Sequence, residues 1–428
     1  MTGQPDREAM DREEIGQLQL ERLEATLNRA QRSVPFYRRR FAEAGFDAEG
    51  LRSLDDLRRL PFTEKRDLRD NHPYGMFAVP LRDVVRVHAS SGTTGLATAV
   101  GYTRNDLNTW SDLVARVLTA GGVGKDDVVQ VAFDYGLFTG AFGFHQGAER
   151  LGASVIPVSS ASARRQLGIL RDYRSTALVC TPSHAMALAE AALEAGVKPG
   201  SLSLRFGLFG AEPWSEAMRA ELQARLKIVA TDNYGLSEVG GPGLAGECLD
   251  RRGLHVAEDH FLVEVVDPET LAPVPDGTVG ELVVTTLTRE AMPVIRFRTH
   301  DLASLTRVPC SCGRTMARMS RVKGRTDDLI LLKGARFFPS EIEAVLLEVE
   351  GAGPHHEIVL ERRPGGDEAR VRVESAAAGD EALRAAVERR LATELGVAVA
   401  VELVAPGTLA RPEGKARRVI DRRWPDAP

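Results

Sequence analysis

Between Val84 and Thr231, short apolar runs alternate with stretches whose apolar residues recur every three to four positions. The runs "VVQVAF" (128–133), "ASVIPV" (153–158), "ALVCTP" (177–182), "LRFGLFG" (204–210) and "KIVATDNYG" (227–235) have the length and bounding turns of buried strands. "PSHAMALAEAALEAG" and "PWSEAMRAELQARL" lie between them and read as helices. Such alternation predicts an α/β domain on a mainly parallel sheet. Ligands of these sheets gather at the carboxyl ends of the strands. "SSGTTG", "GLFGAE" and "DNYGLSE" each lie at the end of a predicted strand.

From Phe261 to Thr306 the pattern becomes β-rich, with "HFLVEVVDP", "VGELVVTTLT" and "PVIRFRTHDLASLT" suggesting an antiparallel subdomain spanning about 246–320. A further unit begins with "GRTDDLILLKGARFFPSEIEAVLLEVEG", where Ile342, Val345, Leu346 and Val349 fall at helical spacing behind Ser340 as N-cap and Glu343. "HEIVLER", "ARVRVES", a helix carrying Leu383, Val387, Leu391 and Leu395 up to Gly396, and "VAVAVELV" complete a βαββαβ unit. The expected division is a large N-terminal domain, 1–325, and a small α+β domain, 326–428. Near the start, Ile15, Leu18, Leu23 and Leu27 suit one face of a helix lying on the protein body.

The 55 basic and 60 acidic residues nearly balance, which leaves no electrostatic footprint for nucleic acid. No apolar run approaches the roughly 20 residues of a membrane helix, and the acidic N-terminus is unlike a targeting peptide. The expectation is a cytoplasmic protein. Four cysteines in 428 residues do not make a disulfide scaffold. Cys180 stands apart, whereas Cys248, Cys310 and Cys312 flank one region that also carries His255. A Cys₃His set satisfies tetrahedral zinc, and "PCSCGR" reads as a tight turn rather than a core strand. Structural zinc is expected here, with no open coordination position for catalysis.

"HASSGTTGLATAVGYT", His88 to Thr103, holds six small hydroxyl residues and three glycines. A surface loop and a polyphosphate cradle both fit that composition. A Walker P-loop does not, because Leu96 and Ala97 follow Gly95 where that motif needs lysine.

The set decides what the single stretch does not. "SSGTTG" (90–95), "GAEP" (210–213), "NYGLSE" (233–238), "FRTHD" (297–301), "GRTDD" (324–328) and "RPEGKARRVID" (411–421) follow the order and rough spacing of the adenylate-forming enzymes. "VPFYRRRF" and "YGLFTGAFGFHQGAERLGASVIP" (135–157) resemble the phenylacetate–CoA ligase branch of that superfamily. The resemblance implies that an aromatic carboxylate attacks the α-phosphate of ATP, releasing pyrophosphate, and that the aryl-AMP is then passed to coenzyme A. As alternatives, the acceptor is a carrier-protein thiol, an amine or another nitrogen nucleophile; a homodimer also stays open.

By the same resemblance Ser90, Ser91, Gly92, Thr93, Thr94 and Gly95 wrap the β- and γ-phosphates. Glu238 holds Mg²⁺, Asp301 accepts from the ribose hydroxyls, and Arg325 assists there. Ala211, Glu212 and Pro213 lie along the adenine, with Asn233, Tyr234 and Gly235 beside it. Lys415 bridges the acid and the phosphate during adenylation, and the C-terminal domain then pivots near Asp327 to admit the thiol. Tyr135, Phe138, Gly140, Ala141 and Phe209 are expected to form an apolar slot for a flat ring. Three departures from the family's usual pattern stand out: "SGTTGLAT" for "SGTTGKPT", His300 for glycine, and Ala141 where glycine is frequent. The Ala141 methyl is expected to make the slot shallower and to favour a benzoate over an arylacetate.

Overall fold

Asp11 starts the first long helix, Arg12–Ser33, by accepting from the N–H groups of Glu13 and Glu14 while Glu14 reaches back to it. Ile15, Leu23 and Leu27 of that helix are buried. Leu18 is only half-buried, and Gln19 takes a buried place instead by donating to the carbonyls of Glu258 and Phe261. The computed structural model describes residues 5–90, 98–363, 366–410 and 418–423.

A hairpin, β1 (Arg86–Ala89) and β2 (Ala99–Tyr102), leads into the large sheet. Its parallel part is β3 (Val128–Val131), β4 (Ser154–Pro157), β5 (Ala177–Cys180), β6 (Phe206–Gly210) and β7 (Val229–Leu236), with helices packed between them. All five expected strands form; the apolar runs of β3, β5 and β6 are buried on both faces, whereas β4 is a half-exposed edge strand. β8 (Gly241–Glu247) and β9 (Leu254–Val256) continue the sheet antiparallel.

The segment 246–320 does not make one subdomain. β10 (Phe261–Val266), β11 (Gly280–Thr286), β12 (Phe297–Ala303) and β15 (Gly324–Arg325) form a separate four-stranded antiparallel sheet. The short β13 (Leu305–Thr306) and β14 (Arg318–Met319) instead join β9, giving nine strands in the order β13-β14-β9-β8-β7-β6-β5-β3-β4. The β-rich pattern is correct; its partition between two sheets is set by pairing partners far away in sequence.

Beyond Arg325 the core changes over. Hairpin β16 (Ile330–Leu332) and β17 (Ala335–Phe337), helix Pro339–Glu348, β18 (His356–Arg363), β19 (Gly366–Glu374), helix Glu381–Leu395, β20 (Ala400–Val404) and β21 (Val419–Asp421) enclose a hydrophobic cluster of their own. Gly396 ends the second helix in the left-handed conformation, φ 67°. The first helix starts two residues earlier than expected. Phe338 is its N-cap, Pro339 its first residue, and Glu341 rather than Glu343 closes the cap on the Phe338 N–H at 2.6 Å. Ser340 Oγ donates instead to the Lys323 carbonyl at 2.8 Å, tying the unit to the larger domain.

Candidate active site

Two strand ends and a bulge build the cleft. β6 and β7 run side by side up to Gly210 and Asn233. A Cβ at Gly210 would stand 2.4 Å from the Asn233 carbonyl oxygen, so only glycine allows that approach. Asn233 Nδ2 then donates to the Phe209 carbonyl at 2.7 Å, and the following Ala211 takes a left-handed turn, φ 70°. On β7 the register against β8 shifts between Tyr234 and Gly235, and this bulge re-aims "YGLSE". Gly235 is obligatory there, because a Cβ would lie 2.1 Å from the Gly241 carbonyl oxygen.

The second sheet supplies the opposite wall. Asp301 on β12 pairs in register with Arg325 on β15. Tyr234 Oη donates to Asp301 Oδ2 at 2.6 Å, and Arg325 Nη1 donates to Asp301 Oδ1 at 3.0 Å. The Arg325 fork continues onto Asp327, at 2.8 and 2.9 Å. Burial lowers the Arg325 affinity for its proton, but Asp327 and Asp301 outweigh it and the guanidinium stays charged. Burial likewise pushes the Asp327 carboxyl up, and Arg325 more than offsets this. Burial, then the Asp301 charge, raises the Tyr234 hydroxyl well above its usual range, which keeps it a donor. Ala211, Glu212, Pro213, Asn233, Tyr234, Gly235, Asp301 and Arg325 line one cleft. The Asp301 side chain faces that cleft from β12.

His300, next to Asp301, adopts φ 63°, a backbone that favours glycine, and its Nδ1 lies 3.0 Å from Thr326 Oγ1. Glu212 serves the fold as well as the cleft wall, since Oε1 accepts from the Ser183 N–H at 2.7 Å, at the start of helix Pro182–Glu194.

Glu238 sits on the turn after β7, buried, with Lys65 Nζ 3.2 Å from Oε1. Its neighbour Ser237 shares a 3.0 Å hydrogen bond with Thr139. The segment before Thr139 reaches the hairpin: the Leu137 carbonyl accepts from the Ala89 N–H and lies 3.0 Å from His88 Nδ1. Ser90 is buried and donates to the Thr98 carbonyl at 3.0 Å, closing the base of the hydroxyl-rich loop. Ser91, Gly92, Thr93, Thr94, Gly95 and Lys415 lie outside the described residues. Arg418, three positions beyond Lys415, is ion-paired to Glu343, and Glu212 partly offsets the fall that burial imposes on its proton affinity.

The apolar slot divides. Tyr135 and Phe138 are half-buried; the Phe142 ring meets Tyr135 edge-on at 5.2 Å, and the Phe138 ring lies 6.4 Å from that of Phe133. Gly140 is the first residue of helix Gly140–Leu151, packed against the Phe138 ring. Ala141 and Phe209, by contrast, have 0 % exposure and offer no surface to a ligand. Ala141 shares the core face of its helix with Phe144 and Ala148. Phe209 packs on Trp214 in the cluster on the other face of the sheet, because odd and even positions of β6 point opposite ways. The methyl of Ala141 therefore does not set the depth of an acid slot in this structure.

Cys248, His255, Cys310 and Cys312 come together at the far end of the large sheet, their ligand atoms all within 4.8 Å of one another. Cys248 and Cys310 sulfurs are 3.9 Å apart, and Cys312 Sγ is 3.5 Å from His255 Nε2. Burial, helped by Arg314 and Arg318, lowers His255 to about 4, so the imidazole is neutral with a lone pair to give. Burial pushes the Cys248 thiol up to about 12, whereas hydrogen bonds, chiefly from Arg314, outweigh burial and lower Cys312. Donor type, number and spacing suit a closed tetrahedral site.

The AMP-binding enzyme model matches residues 17–288, and that of the AMP-binding enzyme C-terminal domain matches 334–423. The chain belongs to the AMP-binding enzyme family. Within it, the chain is 47% identical to phenylacetate-coenzyme A ligase of Thermus thermophilus, over 99% of this chain and 100% of that one. Against the phenylacetate-coenzyme A ligase of Escherichia coli the identity is 46%, over 96% and 95%. The structure of 2-hydroxyisobutyryl-CoA ligase in the postadenylation state superposes with TM-score 0.92 at 34% identity, covering 98% of this chain and 92% of that one. The same ligase in the thioesterification state gives 0.73. Among the described residues no helix is long and apolar enough to cross a membrane.

Proposed function

We propose that this AMP-binding enzyme activates an aromatic carboxylic acid with ATP and passes the acyl group from the resulting adenylate to coenzyme A. The observation that carries the reading is the Tyr234–Asp301–Arg325–Asp327 network facing the "GAEP" turn across one cleft. Asp301 accepts the ribose hydroxyls, with its charge held in place by Tyr234 and Arg325. Ala211, Glu212 and Pro213 wall the adenine. Glu238 holds Mg²⁺, a hard cation that takes one or two protein carboxylates beside a triphosphate and neutralises charge on its oxygens. Ser90 and the loop after it wrap the phosphates, and Lys415 stabilises the charge that develops as the acid oxygen attacks. The aromatic edge of Tyr135, Phe138 and Phe142 favours a flat ring. Near full-length identity to named coenzyme A ligases favours coenzyme A over a carrier-protein thiol or an amine.

Asp327, bound by the same arginine that holds Asp301, is the pivot about which the C-terminal domain turns between the two half-reactions. Cys248, His255, Cys310 and Cys312 hold a structural Zn²⁺ that clamps the loop 307–316 to β9, away from the cleft. ATP–pyrophosphate exchange with phenylacetate, benzoate, aminobenzoate and 2-hydroxyisobutyrate tests the substrate class. An aromatic acid should support exchange at least about tenfold better than the aliphatic hydroxy acid. Preference for 2-hydroxyisobutyrate would refute the aromatic slot.

A further inference from the structure

Glu238 is buried, yet among the described residues its Oε1 receives no hydrogen bond and meets only the ammonium of Lys65, at 3.2 Å. The two side chains differ sharply in exposure, 6 % for Glu238 and 35 % for Lys65. A fixed, buried acid is thus neutralised by one flexible, half-open cation. The backbone under that cation is held rigidly. Thr63 donates to the carbonyls of Arg296 and Ile295, at 2.9 and 2.6 Å, and Arg298 Nη1 donates to Glu64 at 3.0 Å. Among the described residues the Lys65 side chain itself has only its contact with Glu238.

Among the described residues the other cation beside this turn, Arg289 at Gly240, is already spent on the Gly101 carbonyl at 2.7 Å and on the Tyr102 ring. Between Ala89 and Gly101 the sequence holds no lysine or arginine, so the hydroxyl-rich loop offers phosphates only dipoles. Arg325 is committed to Asp301 and Asp327. Thr139, bonded to Ser237, and Leu137, bonded to Ala89, join the Glu238 turn to the base of that loop. Lys65 therefore stands on the Glu238 side of that link.

We infer that Lys65 is the protein's cation for the ATP phosphates, standing against Glu238 in place of Mg²⁺ until the nucleotide arrives. With Glu238 given over to a divalent ion, the Lys65 ammonium would lose its resting partner. A non-bridging phosphate oxygen is the nearest acceptor of the right charge, and a compact ammonium on a flexible stem can reach it without rebuilding the backbone. The inference rests on the reading of Glu238 as the magnesium-holding residue.

Calorimetric binding of ATP and of adenosine, in EDTA and in saturating Mg²⁺, to wild type, Lys65→Met and Lys65→Arg separates the possibilities. Lys65→Met should weaken ATP on the order of tenfold or more in both buffers and leave adenosine within about twofold, while Lys65→Arg keeps most of the ATP preference. Unchanged ATP affinity, or equal loss of ATP and adenosine, would reduce Lys65 to a structural counter-ion and overturn the inference. Wild-type protein binding adenosine as tightly as ATP would instead overturn the placing of phosphates at Glu238, whatever Lys65 does.

Discussion

Replacing Asp301 by asparagine keeps the shape of the side chain and removes its charge. In the folded protein Asp301 accepts from Tyr234 at 2.6 Å and Arg325 at 3.0 Å, with its side chain only 7 % exposed. The amide NH₂ can face the Tyr234 oxygen, but facing Arg325 it sets donor against donor, so one orientation survives. Arg325 keeps its two bonds to Asp327, which limits the loss of stability to about 1–3 kcal/mol. For a chain of this size that is a fall of roughly 1 °C per kcal/mol in Tm. The binding effect is larger. Ribose hydroxyls that donated to a carboxylate now meet a neutral, partly reoriented amide, at a cost of about 2–4 kcal/mol, or roughly 30- to 700-fold in the KM for ATP. Pyrophosphate exchange at varied ATP and at varied acid reads the two constants separately. The KM for the acid should move by no more than about twofold, because Asp301 is not part of the aromatic edge. A KM for ATP that stays put, or that rises in step with the KM for the acid, would refute the assignment of the ribose to Asp301.

Glu238→Gln should slow adenylation by about two orders of magnitude, as expected for loss of a positioned charge, with extra Mg²⁺ restoring only part of the rate. Lys415→Ala should abolish most adenylation while thioester formation from supplied aryl-AMP survives; equal loss in both half-reactions would contradict its role. Purified protein should carry about one zinc per chain by elemental analysis, and Cys310→Ser should lower zinc content and Tm together. Metal-free protein with an undiminished Tm would make the cluster an ordinary group of thiols. Burial lowers His356 to about 4, with Nδ1 on the Pro354 carbonyl and Nε2 unpartnered. Its folded pKa lies below the unfolded value of about 6.5, so its effect is nil above that pH and stability is lost as pH falls toward 4. Between pH 6.5 and 5 the loss should be about 1.5 kcal/mol. His356→Leu should flatten that slope in urea titrations, and an unchanged slope would show that His356 is not its source.

Much of this architecture is legible in the chain because its central strands are buried on both faces and so read as unbroken apolar runs. The C-terminal unit is equally plain, its strands and helices being separated by Gly and charged turns. What sequence leaves open is pairing and orientation. Nothing in "GLFGAE" tells whether Phe209 or Leu208 faces the cleft side, since a one-residue change of phase inverts a strand. Ala141 is a related case: its helix turns 141, 144 and 148 toward the core, a face that only the neighbouring sheet defines. The cap at Phe338 was hidden because Ser340 looks the better cap until Pro339 is seen as the first helical residue. The ordered motifs brought Asp301, Arg325 and Tyr234 into one site, and the structure places all three on a single cleft. The cysteines and His255, far apart in sequence, likewise meet. Lys65 escaped notice altogether. It lies in "PFTEKRDLRD", a polar helix start with no distinctive spacing, and only the tertiary fold carries it to Glu238.

The most direct test of the account is mass spectrometry of a single reaction run in two stages. Protein, ATP, Mg²⁺ and phenylacetate or a benzoate, without coenzyme A, should yield enzyme-bound aryl-AMP and free pyrophosphate in stoichiometric amount. Addition of coenzyme A should then convert that intermediate to the aryl-CoA thioester with release of AMP. Formation of ADP and an acyl phosphate, or of adenylate that persists in the presence of coenzyme A, would contradict the account.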